Sequence, residues 1–234
     1  MGEDAEVFLF DHNAYLTEVV PAFVDLFRNG QVVDWLHPFV KRRELEPSRW
    51  PASDLTRYIV GLHSDLSWAG PYDLRDTYGD NWRQRWSELT QGSEAAPDDA
   101  TVEQINWLFK IAVSIKCLGA SQFVGRSVTV SIYREVLWDL GMKQDDRFVD
   151  LLAALGKRGF LIGYQFGFGF EGVNGWLDPD ETAEFARRLD SIENLNFSVV
   201  HAVAKKAVGQ RRGILWGNGL LTAEYYLSEE YQRY

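Results

Sequence analysis

Phe166, Phe168 and Phe170 alternate with Gly167 and Gly169, in a chain whose other patterned stretches mostly repeat every three to four residues. In an extended strand successive side chains point to opposite faces, so this ribbon sets its rings on one face and leaves the other without side chains. The stretch from Gly159 to Trp176 is therefore expected to be extended. Asp178-Pro179-Asp180-Glu181 follows with an N-cap, a proline at the first helical position and a carboxylate three residues after the cap, which predicts a helix over 179–192. A further helix over 197–208 and a short strand Gly213–Trp216 complete the region.

Upstream the apolar spacing is helical. Val20, Phe23, Val24 and Phe27 mark a helix over Thr17–Arg28 with Gly30 as its stop, and a second short helix from Val32 is closed by Pro38. Asp54 reads as an N-cap for Leu55–Leu62, and Asp80 for a helix carrying Trp82, Trp86 and Leu89 on one stripe. Thr101 with Gln104 forms a capping box before the apolar run Ile105, Leu108, Phe109, Ala112, Ile115 and Cys117. Helices over Ser127–Leu140 and Asp146–Leu155 follow, stopped by Gly141 and Gly156. The expected fold class is α+β, a mainly helical single domain over 1–234 with a small sheet formed in the C-terminal half. The stretch 90–100, rich in Gly, Ser, Ala, Pro and Asp, is a possible subdomain division.

Composition narrows the function classes. Hydrophobic residues make up 46% and aromatics 14%, including nine tryptophans, which is ample for a large core and argues against disorder. A net charge of -10 repels a phosphate backbone, so no nucleic-acid partner is expected. Lys41-Arg42-Arg43 and the group Lys205, Lys206, Arg211 and Arg212 are the candidate basic patches, and the second sits where a helix C-terminus favours cations. One cysteine, Cys117, excludes an internal disulfide, and with no leader-like or membrane-length apolar stretch a cytoplasmic location is expected.

The run Gly175-Trp176-Leu177-Asp178-Pro179-Asp180-Glu181-Thr182-Ala183, with Ala186, Leu189 and Gly213-Ile214-Leu215-Trp216, resembles the C-terminal half of the YfbM-like family of uncharacterised bacterial proteins. The resemblance spans about 45 residues and implies an α+β fold in a bacterial cytosol. It implies no catalytic chemistry.

Two segments imitate nucleotide-binding signatures. Gly167-Phe168-Gly169-Phe170-Glu171-Gly172 satisfies G-x-G-x-x-G, but the helix whose N-terminus would face a pyrophosphate begins only after Asp178. Ala120-Ser121-Gln122-Phe123-Val124-Gly125-Arg126-Ser127 is one step from a phosphate loop, yet alanine replaces its first glycine and arginine its lysine. A helix–loop–helix connection is expected there. Neither calls for a cofactor.

His12, His37, His63 and His201 show no metal-ligand spacing, so no metal site is expected, and His63-Ser64-Asp65 reads as a polar turn. Glu171 differs from the other carboxylates because it has no capping duty and lies beside the ring-lined ribbon. The expected binding residues are Phe166, Phe168, Phe170, Glu171 and Trp176. The leading expectation is a non-catalytic binding or interaction protein, recognising a small ligand or a basic protein partner in the manner of an immunity protein. Its rival is an enzyme in which Glu171 with His63 or His201 does acid–base work in an aromatic pocket. A flat exposed aromatic patch rimmed by acids favours the first, and a closed cavity with converging ionisable groups the second.

Overall fold

Asp4–Phe10 is a strand, β1, in which Phe8 and Phe10 point to one face and Ala5, Val7 and Leu9 to the other. Both faces are apolar because both are covered, and that double burial organises the molecule. The computed structural model describes residues 4–45, 87, 91–92, 98–126, 128–143, 146–159, 171–229 and 231. The ribbon over 160–170, with Phe166, Phe168 and Phe170, lies outside the described residues. So do the expected helices over 55–62 and around Trp82, Trp86 and Leu89, except for Ser87.

After β1 the chain makes one α-turn (His12–Ala14), a π-helical segment (Tyr15–Val19) and helix α1 (Val20–Asn29). Gly30 ends α1 with φ +63°, as its glycine predicts. The next helix is not closed by Pro38. Pro38 lies in the first turn of α2 (His37–Arg42), where its missing N–H is tolerated, so proline opens this helix. Helix α3 (Asp99–Lys116) begins ahead of Thr101, which is therefore inside the first turn and not at the cap.

Leu118–Arg126 is strand β2, where the sequence pattern had pointed to a loop between helices. Its glycines, Ala120, Ser121 and Gln122 carry little strand propensity, and the backbone is held extended by pairing with β1. A 3₁₀ turn (Val130–Tyr133) and α4 (Arg134–Asp139) replace the single helix expected over Ser127–Leu140. Helix α5 (Arg147–Lys157) is capped by Asp146, whose carboxylate accepts from the Phe148 amide at 2.8 Å, and runs through Gly156 without stopping.

Strand β3 (Gly172–Leu177) leads into α6 (Pro179–Leu189), where the expected capping box is complete: the Glu181 amide donates to Asp178 at 2.8 Å and the Asp178 amide to Glu181 at 3.0 Å. Helix α7 (Ser198–Gly209), strand β4 (Gly213–Asn218) and the short α8 (Ala223–Leu227) follow. The fold is α+β, mainly helical, with a four-stranded antiparallel sheet in the order β2-β1-β4-β3. Three strands come from the C-terminal half, and β1 is contributed by the start of the chain.

The sheet separates two apolar clusters. One joins Phe8, Phe10, Trp176 and Leu215 to the π segment, α1, α2, α3 and Tyr226 of α8. The other joins Val7, Leu9, Ile214 and Trp216 to α4, α5, α6 and α7. Gly175 lets α5 approach β3 closely, since a Cβ there would lie 2.0 Å from the Ala154 carbonyl oxygen. Asn174 is an extra residue in β3, a bulge against β4, and its side-chain amide donates to Asn218 at 3.1 Å. Trp216 Nε1 donates to the same Asn218 oxygen at 3.2 Å, while Asn218 Nδ2 donates to the Val128 carbonyl at 2.9 Å. This buried polar knot pins the end of β4 to the connection after β2.

Candidate functional site

Glu171 sits immediately before β3, where Gly172 turns the chain with φ +118°, a conformation that L side chains rarely adopt. The Lys110 ammonium donates to its carboxylate, joining α3 to the entrance of β3. Lys110 has a side chain only 10% exposed, while that of Glu171 is 43% exposed. The lysine stem is embedded in the helix layer and its charge is delivered to a carboxylate at the surface. Glu171 is thus neither an unpaired buried acid nor a free turn residue.

Helix α8 packs against α3. Thr222 caps it, its hydroxyl accepting from the Tyr225 amide at 3.4 Å. Five residues make little more than one turn, so adjacent tyrosines separate: Tyr226 is buried in the core while Tyr225 stays exposed. Burial lifts the Tyr226 phenol well above its ordinary pKa, and the neighbouring Tyr231 and Glu171 push the same way. Tyr231 lies 5.0 Å from the Tyr226 ring and 5.3 Å from that of Tyr225, so three tyrosines form one group. Arg42 stands 3.9 Å over the Tyr231 ring and Arg43 4.8 Å over that of Trp107, which engages two members of the basic tripeptide by cation–π contact.

Leu221, Tyr225 and Leu227 are exposed, and Glu224 and Glu229 on the same short segment are exposed beside them. Glu171 is close enough to act on the Tyr226 phenol of this segment. Comparison with family models, with curated proteins and with solved structures yields no match.

Trp176 is not part of this surface. It is fully buried, its ring 5.8 Å from Phe10 and 4.9 Å from Tyr15. His201 lies on α7, in the helix layer across the sheet from α3, and its Nε2 is 3.1 Å from Asp190. Glu171 and His201 are therefore not brought together, and His63 lies outside the described residues. Among the described residues no three of His, Cys, Asp and Glu gather as metal ligands, and no helix is long and apolar enough to cross a membrane. Cys117 is buried, and burial raises its thiol pKa.

Sequence reasoning singled out Glu171 but missed Lys110, Tyr225, Tyr226 and Tyr231. Lys110 had a legible signal: it is the one cation between Leu108, Phe109, Ile111 and Ala112, and a charge inside an apolar run needs a partner. The tyrosines had none, because only the packing of α8 decides which ring turns outward.

Proposed function

We propose that this chain is a non-catalytic interaction protein whose α8 surface, with Glu171 beside it, receives a basic protein partner. The observation that carries the reading is the exposure of Leu221, Tyr225 and Leu227 on one short segment that also carries the exposed Glu224 and Glu229. Tyrosine is a frequent anchor at interfaces, because it offers a large rigid area at low entropic cost. Exposed carboxylates on a chain of net charge -10 draw in cationic surfaces and repel acidic ones.

A cytoplasmic setting and kinship with the YfbM-like proteins belong to the same proposal. The acid–base alternative lacks its second group among the described residues, with His201 across the sheet.

The test is affinity capture with three baits: the intact chain, the double variant Tyr225→Ser/Leu227→Ser and the charge reversal Glu224→Lys/Glu229→Lys. Proteins retained by the first and lost by both others are identified by mass spectrometry. The reading expects those proteins to be strongly basic and to be released by moderate salt. Retention by all three baits, or a set that is predominantly acidic, would overturn it.

A further inference from the structure

Strand β2 stands at one end of the sheet, and among the described residues no strand pairs with its outer edge. Its middle, Ser121–Gln122–Phe123, is regular and pairs residue for residue with Phe8, Val7 and Glu6. All three residues are exposed, Phe123 to 56%. Successive strand residues face opposite sides, so neither helix layer reaches over this part of the sheet. An extra residue at Val124 and another between Leu118 and Ser121 bulge the two ends of β2, which confines any added pairing to the middle. Lysine, proline and carboxylates commonly guard such edges, and β2 has none of them.

Charge and symmetry select the occupant. Two chains of net charge -10 repel each other wherever carboxylates gather, and β2 is where they do not. Its one charge, Arg126, pairs with Asp4 at 3.2 Å, and Arg212, which lies against Gly119 at the other end, is 3.5 Å from Asp11. A basic partner would find no carboxylate on this strand. A second copy finds a neutral strand like itself. Antiparallel pairing of β2 with its copy about Gln122 closes on a two-fold axis, so the open edge is used up on both chains. In that register Gln122 stands opposite Gln122 of the second copy, and side-chain amides can exchange hydrogen bonds. Phe123 stands opposite Ser121, and the two Phe123 rings become diagonal neighbours on one face, close enough to cover each other.

We propose that β2 is a homodimer interface, in which Ser121–Phe123 pairs with the same residues of a second copy and the two four-stranded sheets become continuous. The regular stretch is short, so the dimer is weak and its population depends on concentration. The interface is independent of the α8 surface and of any basic partner.

Sedimentation equilibrium over a concentration series tests it. The expected result is a mass that rises towards that of two chains. Gln122→Lys and Gln122→Glu should each weaken association about tenfold, because each sets like charges directly opposite, whereas an equal mixture of the two variants should restore it. That rescue also shows that both variants are folded. Tyr225→Ser/Leu227→Ser should self-associate like the intact chain. A single-chain mass up to millimolar protein, association unchanged by either Gln122 variant, a mixture that does not regain it, or its loss in the α8 variant would each overturn the proposal.

Discussion

Arg158 and Glu181 meet fork to fork, Nη1 donating to one carboxylate oxygen and Nη2 to the other, both at 2.7 Å. Glu181 also accepts from the Asp178 amide, so one side chain closes the capping box of α6 and anchors the residue that follows α5. Burial alone would raise its pKa, but the Arg158 hydrogen bonds and charge, with the Asp178 amide, outweigh burial and lower it.

Glu181→Gln is expected to cost about 3 kcal/mol at neutral pH, since it leaves a buried guanidinium without its counter-charge. Because the folded pKa lies below the unfolded value near 4.5, the stabilisation is present above that value and is lost as pH falls through the folded pKa. Urea unfolding of both proteins between pH 7 and pH 3 checks this. The gap between the two should narrow only in the acid range.

Lys110 and Glu171 should show smaller coupling. Glu171→Gln is expected to cost about 1 kcal/mol, because Glu171 is partly solvated while the lysine it meets is nearly buried. Lys110→Met should cost little or even stabilise, and adding Glu171→Gln to it should cost nothing more. A double-mutant cycle by chemical denaturation measures the coupling. Equal effects of Glu171→Gln in both backgrounds would mean that the pair contributes nothing.

His12 supplies a second pH dependence of known direction. Its pKa is lowered in the folded chain, chiefly by burial, so the unfolded chain binds the proton more readily around the ordinary value of 6.5. Stability contributed by the neutral ring is therefore present above 6.5 and declines as pH falls below it. His12→Phe should flatten the stability profile between about pH 7 and 5. Thermal melts across that range suffice, and an unchanged slope would refute the assignment.

What the sequence disclosed divides along physical lines. The capping box at Asp178 and the stops at Gly30 and Gly141 were legible because each is decided by neighbours within a few residues. Strands β1 and β2 escaped because their partners are remote: Val7 pairs with Gln122 on one side and Trp216 on the other. The parity of β3 escaped for another reason. Counting in twos from Phe170 places Trp176 on the face of Gly172, but the bulge at Asn174 shifts the count, so that Trp176 joins Val173 in the cluster of α3. The importance of Glu171 was visible as a carboxylate without a local duty, whereas its duty lay 61 positions away on Lys110.

The bulge and the helix it faces make the last expectation the sharpest. At Gly175 an added Cβ would stand 2.0 Å from the Ala154 carbonyl oxygen and 2.8 Å from that of Leu155. Both obstacles are backbone in α5, and real Cβ atoms essentially never come within 3.0 Å of such atoms, so α5 must lift from β3. Gly175→Ala should therefore cost at least about 3 kcal/mol, above the usual range for a single surface change. Gly209, in the last turn of α7, has nothing within 4 Å of the same added atom. Gly209→Ala should be neutral or gain up to about 1 kcal/mol, because alanine loses less backbone freedom on folding. Guanidinium unfolding midpoints of the two variants should then move in opposite directions or differ widely; comparable midpoints would mean that α5 does not press on β3 as closely as Gly175 permits.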